Sequence, residues 1–149
     1  MDENTSIEIE TDDLPCLPNG TVVGGYVLHE CVGRGAMAHI YRAEHCVLGR
    51  EVALKILAPS LMTDRTARNR LLREARVTAT LKHPNIIDVS DARFHEGNPY
   101  VVMDLLCGED LQTRLTRDGR LPHEETVELG LALASGLGAA HARGIVHRD

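Results

Sequence analysis

The sequence predicts an α+β fold: a five-stranded antiparallel sheet with one helix packed on it, followed by further helices. Three observations carry that expectation. Short segments with strand-like apolar patterning, bounded by Gly, Pro and Asn, recur between Tyr26 and Leu57 and again between Ile87 and Leu105. A stretch of helical period separates the two groups. A long and nearly all-apolar helical segment follows His123.

Each element has a local reason. Residues 1–22 read as an acidic, disordered leader with Pro15 and Pro18, closing on Asn19-Gly20. Tyr26 to Val32 reads as a strand running into Gly33-Arg34-Gly35. Ile40 to Ala43 is a second strand, turning at Leu48-Gly49 into a third, Val52 to Leu57, which Pro59 ends. From about Asp64 to Leu81, Leu71, Leu72, Ala75, Ala79 and Leu81 gather on one side of a helix, with Arg68, Arg70, Arg73 and Arg76 largely elsewhere. His83-Pro84-Asn85 stops that helix, because proline restricts the residue before it. Strands at Ile87 to Phe94 and Tyr100 to Leu105 are joined by Glu96-Gly97-Asn98. A short helix starts near Asp110, and a long one spans His123 to Arg143, with Gly144 where a helix end needs positive φ.

Composition narrows the classes. An apolar share of 43% is that of a globular domain, and no apolar run has the length of a membrane span. The opening is acidic and unlike a signal peptide, so the expected location is cytoplasmic. Asp2, Glu3, Glu8, Glu10, Asp12 and Asp13 match the whole formal charge of −6. The remainder is near neutral, without the basic stripe of a nucleic-acid binder. Cys16, Cys31, Cys46 and Cys107 are far apart in the chain and form no C-x-x-C pair, so free thiols and no metal site are expected. His45 beside Cys46 lacks a second pair to complete a metal site.

Gly33-x-Gly35 on its own marks any turn. Here a strand follows it rather than a helix, which makes it the tip of a β-hairpin and not a dinucleotide loop. A tip without side chains can lie over a polyphosphate and offer its N–H groups. Such a cradle needs a cation. Period two along Val52-Ala53-Leu54-Lys55 puts Ala53 and Lys55 on one face, leaving room for a flat base while Lys55 reaches phosphate. Glu74 on the helix can hold that long side chain in place, although an isolated glutamate there would equally be a surface pair.

These residues resemble the protein kinase family. Val32-Gly33-Arg34-Gly35, Val52-Ala53-Leu54-Lys55, Glu74 and His147-Arg148-Asp149 stand in the order of its glycine-rich loop, lysine, αC glutamate and H-R-D motif. Leu81 to Ile86 and Ala139 to Val146 are similar to its connecting segments, in the manner of bacterial eukaryotic-like serine/threonine kinases. The resemblance covers about 26–149, with an N-lobe of about 26–106 and the start of a C-lobe at about 107–149. It implies the five-stranded N-lobe sheet with its αC helix, and only the first C-lobe helices.

The resemblance further implies ATP as cosubstrate, a protein hydroxyl as acceptor and Mg²⁺ as metal. Asp149, Lys55 and Glu74 would be catalytic, and Arg148 would contact a phosphorylated activation loop. Gly33, Arg34, Gly35, Ala36, Met37, Ala38 and His39 would form the phosphate loop. Val32, Ile40 and Ala53 would sandwich the adenine, with Met103 as gatekeeper. The hinge would run from Asp104 to Leu106, and Asp110 would lie near the ribose. The family's Mg²⁺ ligands fall beyond Asp149, outside this sequence. Two further departures are Ala38 in place of the third loop glycine and Thr78 where the family has a larger apolar residue.

The function expected is therefore that of an ATP-dependent serine/threonine protein kinase, here as a truncated catalytic domain inactive by itself. The alternatives are a catalytically inactive kinase-like module that binds nucleotide or a partner, and a relict that hardly folds. The apolar helix at 123–143 adds self-association as an expectation.

Overall fold

A computed structural model describes residues 15–147. The expectations for Arg148, for Asp149 and for residues 1–14 of the leader lie outside them. The sheet has six strands rather than five: β1 (Val22–Val23), β2 (Tyr26–Arg34), β3 (Ala38–His45), β4 (Glu51–Leu57), β5 (Val89–His95) and β6 (Asn98–Met103). Their order is β1-β2-β3-β4-β6-β5, and every pairing is antiparallel. The added strand lies at the boundary assigned to the leader. Val22 pairs with Val27, and the Leu17 N–H donates to Tyr41 Oη at 2.9 Å. Cys16 and Leu17 pack on the sheet, so ordered structure begins before Tyr26.

Strand alternation divides the core in two. Val52, Leu54 and Ile56 of β4 face a cluster with Leu28, Tyr41, Tyr100 and Val102. Ala53 and Leu57 face the other way, toward Ala67, Leu71 and Ala75 of α1 (Arg65–Ala79) and toward Val101 and Met103 of β6. The four-residue spacing of those α1 side chains makes one buried stripe, which presses the helix onto the sheet. Asp64 caps α1, its Oδ1 accepting from Thr66 N at 2.7 Å and Ala67 N at 3.3 Å. The β5–β6 turn sets both Glu96 (φ 49°) and Gly97 (φ 79°) in the left-handed region, the geometry of a tight two-residue hairpin.

Two helices follow, α2 (Leu111–Asp118) and α3 (His123–His141). Arg114 joins them through a bidentate pair with Glu125, at 2.5 and 2.8 Å. α3 meets the N-terminal part at the turn after α1: Asn85 Nδ2 donates to Ala132 O at 3.0 Å, and His83 Nε2 lies 3.1 Å from Ser135 Oγ. Gly136 permits the approach, since a Cβ there would stand 3.3 Å from Asn85 O. Gly144 has φ 72° just past the helix end, as its position in the sequence predicts. Most of α3 is uncovered, with Leu131 66% and Leu133 61% exposed. Among the described residues, no helix is long and apolar enough to cross a membrane.

Candidate functional site

Adjacent strands bring the sequence-predicted residues together across one face of the sheet. Register pairs Ile40 with Lys55, Lys55 with Val101, and Ala53 with Met103. Period two along β4 puts Lys55 on the same face as Ala53. Val32, Ile40, Ala53 and Met103 line a cleft of about 660 Å³, floored by Ile87 and bounded by residues 104–110. Its back wall is apolar: Ala53 and Met103 are buried, while Val32 is half exposed at the mouth. A flat, apolar-faced group fits between Val32 above and Ile87 below. Ile87 and Thr113 line the cleft and were missed as site residues; for Ile87, the onset of an apolar strand was the available signal.

Lys55 Nζ lies 3.3 Å from Glu74 Oε2, joining β4 to α1. Arg70, one turn before Glu74, holds the other carboxylate oxygen at 3.2 Å. Thr78 returns its hydroxyl to Glu74 O at 3.0 Å, which satisfies the polar group that replaces an apolar one at that place.

The hairpin tip closes on itself, Gly35 N–H donating to Ala38 O at 3.0 Å. A Cβ on Gly35 would stand 3.3 Å from the same oxygen, whereas Ala38 itself is buried. Among the described residues, the N–H groups of Ala36 and Met37 have no partner. The loop's side chains separate. Met37 packs against the cluster between the sheet and α1. Arg34 stands beside the Cys31 thiol, which pushes the pKa of the guanidinium up. His39, grouped by the sequence with the phosphate loop, turns away from the cleft. It is buried on the opposite face with Nδ1 3.4 Å from Tyr41 Oη, because alternation along β3 sends Ile40 and His39 to opposite sides. Burial, reinforced by Arg34, lowers the His39 pKa.

Just after β6, Asp104 N–H donates to Asp88 O at 3.1 Å, so that donor is spent. Among the described residues, the Asp104 carbonyl and the Leu106 N–H remain without partners, an acceptor and a donor at the cleft edge. Asp110 lines the rim and also caps α2, accepting from Thr113 N at 2.7 Å and Thr113 Oγ1 at 3.1 Å. Those bonds lower its pKa and keep it ionised. Apolar walls, a paired edge of donor and acceptor, a held lysine and free loop N–H groups suit a purine nucleotide with a polyphosphate tail.

Residues 26–149 match the protein kinase domain family. Over 130 residues the chain is 41% identical to the serine/threonine-protein kinase PknE of Mycobacterium tuberculosis, covering 87% of this chain and 23% of that protein. It is 37% identical to PknH of Mycobacterium bovis, covering 87% of this chain and 22% of that protein. The solved kinase domain of Mycobacterium tuberculosis PknI superposes with a TM-score of 0.72 at 33% identity, over 91% of this chain and 56% of that one. The chain thus spans under a quarter of the curated relatives it matches.

Proposed function

The chain belongs to the protein kinase domain family, and from that premise we propose that it is the nucleotide-holding part of an ATP-dependent serine/threonine protein kinase. The observation that carries this reading is the Lys55–Glu74 pair at 3.3 Å beside the apolar cleft. Glu74 restrains a side chain that would otherwise lose considerable rotamer freedom on binding. Lys55 then meets the α- and β-phosphates as a pre-positioned charge, and the Ala36 and Met37 N–H groups meet the outer phosphate oxygens. Val32, Ile40 and Ala53 clasp the base, with Met103 closing the rear. The Asp104 carbonyl and Leu106 N–H take its polar edge, and Asp110 faces the ribose.

When bound, ATP supplies the phosphoryl group and Mg²⁺ spreads its charge. The described residues offer no set assigned to Mg²⁺. Asp149 takes the proton of the acceptor hydroxyl, a serine or threonine of a protein, and Arg148 orders the activation loop. Cytoplasmic placement belongs to the same reading, since that is where ATP is abundant.

The test has two arms. A fluorescent ATP analogue should bind the 149-residue chain and be displaced by ATP, with Lys55→Ala weakening it. The chain alone should transfer no phosphate above background. Extended with the segment that follows H-R-D in PknE, it should phosphorylate a generic substrate such as myelin basic protein, and Asp149→Asn should abolish this. Robust turnover by the unextended chain, or Asp149→Asn activity equal to wild type, would overturn the proposal.

A further inference from the structure

Behind the cleft, on the opposite face of the sheet, three side chains from separate segments converge. Cys16 Sγ, Cys31 Sγ and a ring nitrogen of His39 all lie within 4.8 Å of one another. Cys16 precedes β1, Cys31 stands on β2 between two register shifts, and His39 faces Arg34 from β3. The site is sheltered: His39 is 2% exposed and both thiols are half-buried. Tyr41 braces it twice, holding His39 Nδ1 at 3.4 Å and accepting the Leu17 N–H at 2.9 Å beside Cys16. One phenol therefore orients the imidazole and the segment that carries the first thiol.

Two thiolates and a neutral imidazole are a soft S₂N donor set of the kind zinc takes. Tetrahedral zinc, with Zn–S near 2.3 Å and Zn–N near 2.0–2.1 Å, sets its donor atoms about 3.6–3.8 Å apart. Closing from within 4.8 Å to that spacing is a change of about 1 Å. A second-sphere oxygen on the other ring nitrogen is the usual companion of a zinc-bound histidine, and with Nε2 as the ligating atom Tyr41 Oη, 3.4 Å from Nδ1, would fill that place.

We propose that Cys16, Cys31 and His39 bind one zinc-type divalent cation, with water as the fourth ligand, and so clamp the segment before β1 to the base of the glycine-rich hairpin. The Cys31 thiol donates to Gly33 O at 3.5 Å, so its proton and that of Cys16 must leave. Binding releases two protons per ion. Cys31 and His39 immediately neighbour Val32 and Ile40, which face the cleft on the other side of the sheet. A cation behind them would hold both strands of the hairpin at its base. The cation site stands independently of what fills the cleft.

The experiment uses the reduced 149-residue chain without oxygen. Titration with Co²⁺ should give one equivalent with thiolate-to-metal absorption in the near ultraviolet and tetrahedral bands in the visible, and Zn²⁺ should displace it. Cys16→Ser, Cys31→Ser and His39→Gln should each weaken Zn²⁺ binding against a chromophoric chelator by at least about tenfold, and Tyr41→Phe by about tenfold. Cys46→Ser and Cys107→Ser, at exposed thiols, should bind as wild type. Alkylation of the unmutated chain guards against unfolded variants: Zn²⁺ should shield Cys16 and Cys31 from iodoacetamide and leave Cys46 and Cys107 reactive. Zn²⁺ should also slow amide exchange across residues 33–38. Binding that survives Cys16→Ser and His39→Gln, equal alkylation of all four cysteines, or a Cys16–Cys31 disulfide forming in a chain that takes up no metal when reduced would each overturn the proposal.

Discussion

Lys55 reaches Glu74 Oε2 at 3.3 Å while Arg70 occupies Oε1 at 3.2 Å, so one carboxylate is shared between a cleft-facing cation and a solvent-facing one. The two cations are unequal partners. Lys55 is 30% exposed and Arg70 is 70% exposed. In the extended, active domain, Lys55→Met should lower kcat/KM by about 10²–10³, because a pre-positioned charge on the reacting phosphates is lost. Arg70→Ala should change folding stability by no more than about 0.5 kcal/mol, as for other exposed helix pairs. Steady-state kinetics and urea unfolding would check both, and a Lys55→Met enzyme with wild-type kinetics would remove Lys55 from the mechanism.

Gly24 carries a second prediction. Its φ is 57°, and a Cβ there would fall 2.1 Å from Tyr100 Oη. Tyr100 is 1% exposed and its hydroxyl donates to Gly24 O at 3.3 Å, so the ring cannot swing clear. Gly24→Ala combines left-handed strain with overpacking and should cost roughly 2–5 kcal/mol. Gly20, at φ 87° with open space around it, isolates the strain alone. Gly20→Ala should cost about 1–3 kcal/mol. Chemical denaturation of the two variants should rank them in that order.

Acid titration should single out Asp118. Hydrogen bonds first from Arg117 and then from Arg114 hold its pKa down to about 2. A carboxylate depressed in the folded state adds stability that is complete above its unfolded pKa of about 3.9. That contribution disappears as pH falls through about 2. Arg117→Gln should therefore raise the Asp118 midpoint toward the ordinary range without abolishing the shift, since Arg114 still reaches Oδ2 at 3.2 Å. Carboxyl carbon NMR would follow it directly. An unmoved midpoint would assign the effect elsewhere.

The uncovered face of α3 should govern the behaviour of the chain in solution. Val127, Leu131, Leu133 and Leu137 are all more than 40% exposed, and burying each fully is worth roughly 1.5–3 kcal/mol. The isolated chain should self-associate through this helix, or show weak amide protection over 125–141 while β2–β4 stay protected. Sedimentation velocity should show Leu131→Lys with Leu133→Lys restoring a monomer. A monodisperse wild-type monomer with strong protection across α3 would contradict this expectation.

Much of this protein was legible because the signals are local. Period two places Ala53 and Lys55 on one face of β4, helical spacing puts Leu71 and Ala75 under α1, and Glu96-Gly97 can only turn. The order of the glycine hairpin, lysine and helix glutamate brought Lys55 to Glu74, since antiparallel neighbours leave few alternatives. Other features depended on how the sheet curls. Val22–Val23 is too short to show a period, and becomes a strand only because β2 offers an open edge. Asp110 is expected from the sequence near the ribose, and its second role, capping α2, is visible only once Thr113 is seen donating to it.

The thiols mark the boundary most clearly. By sequence alone Cys16 and Cys31 are distant and unpaired, and His39 belongs to a phosphate loop. The tertiary structure turns His39 through the sheet and folds the segment before β1 across Tyr41, so all three meet. Local periodicity determines which face a side chain takes. Which distant segment covers that face is decided only when strands pair and the core closes, because those contacts depend on chain separation and shape that no short window of sequence contains.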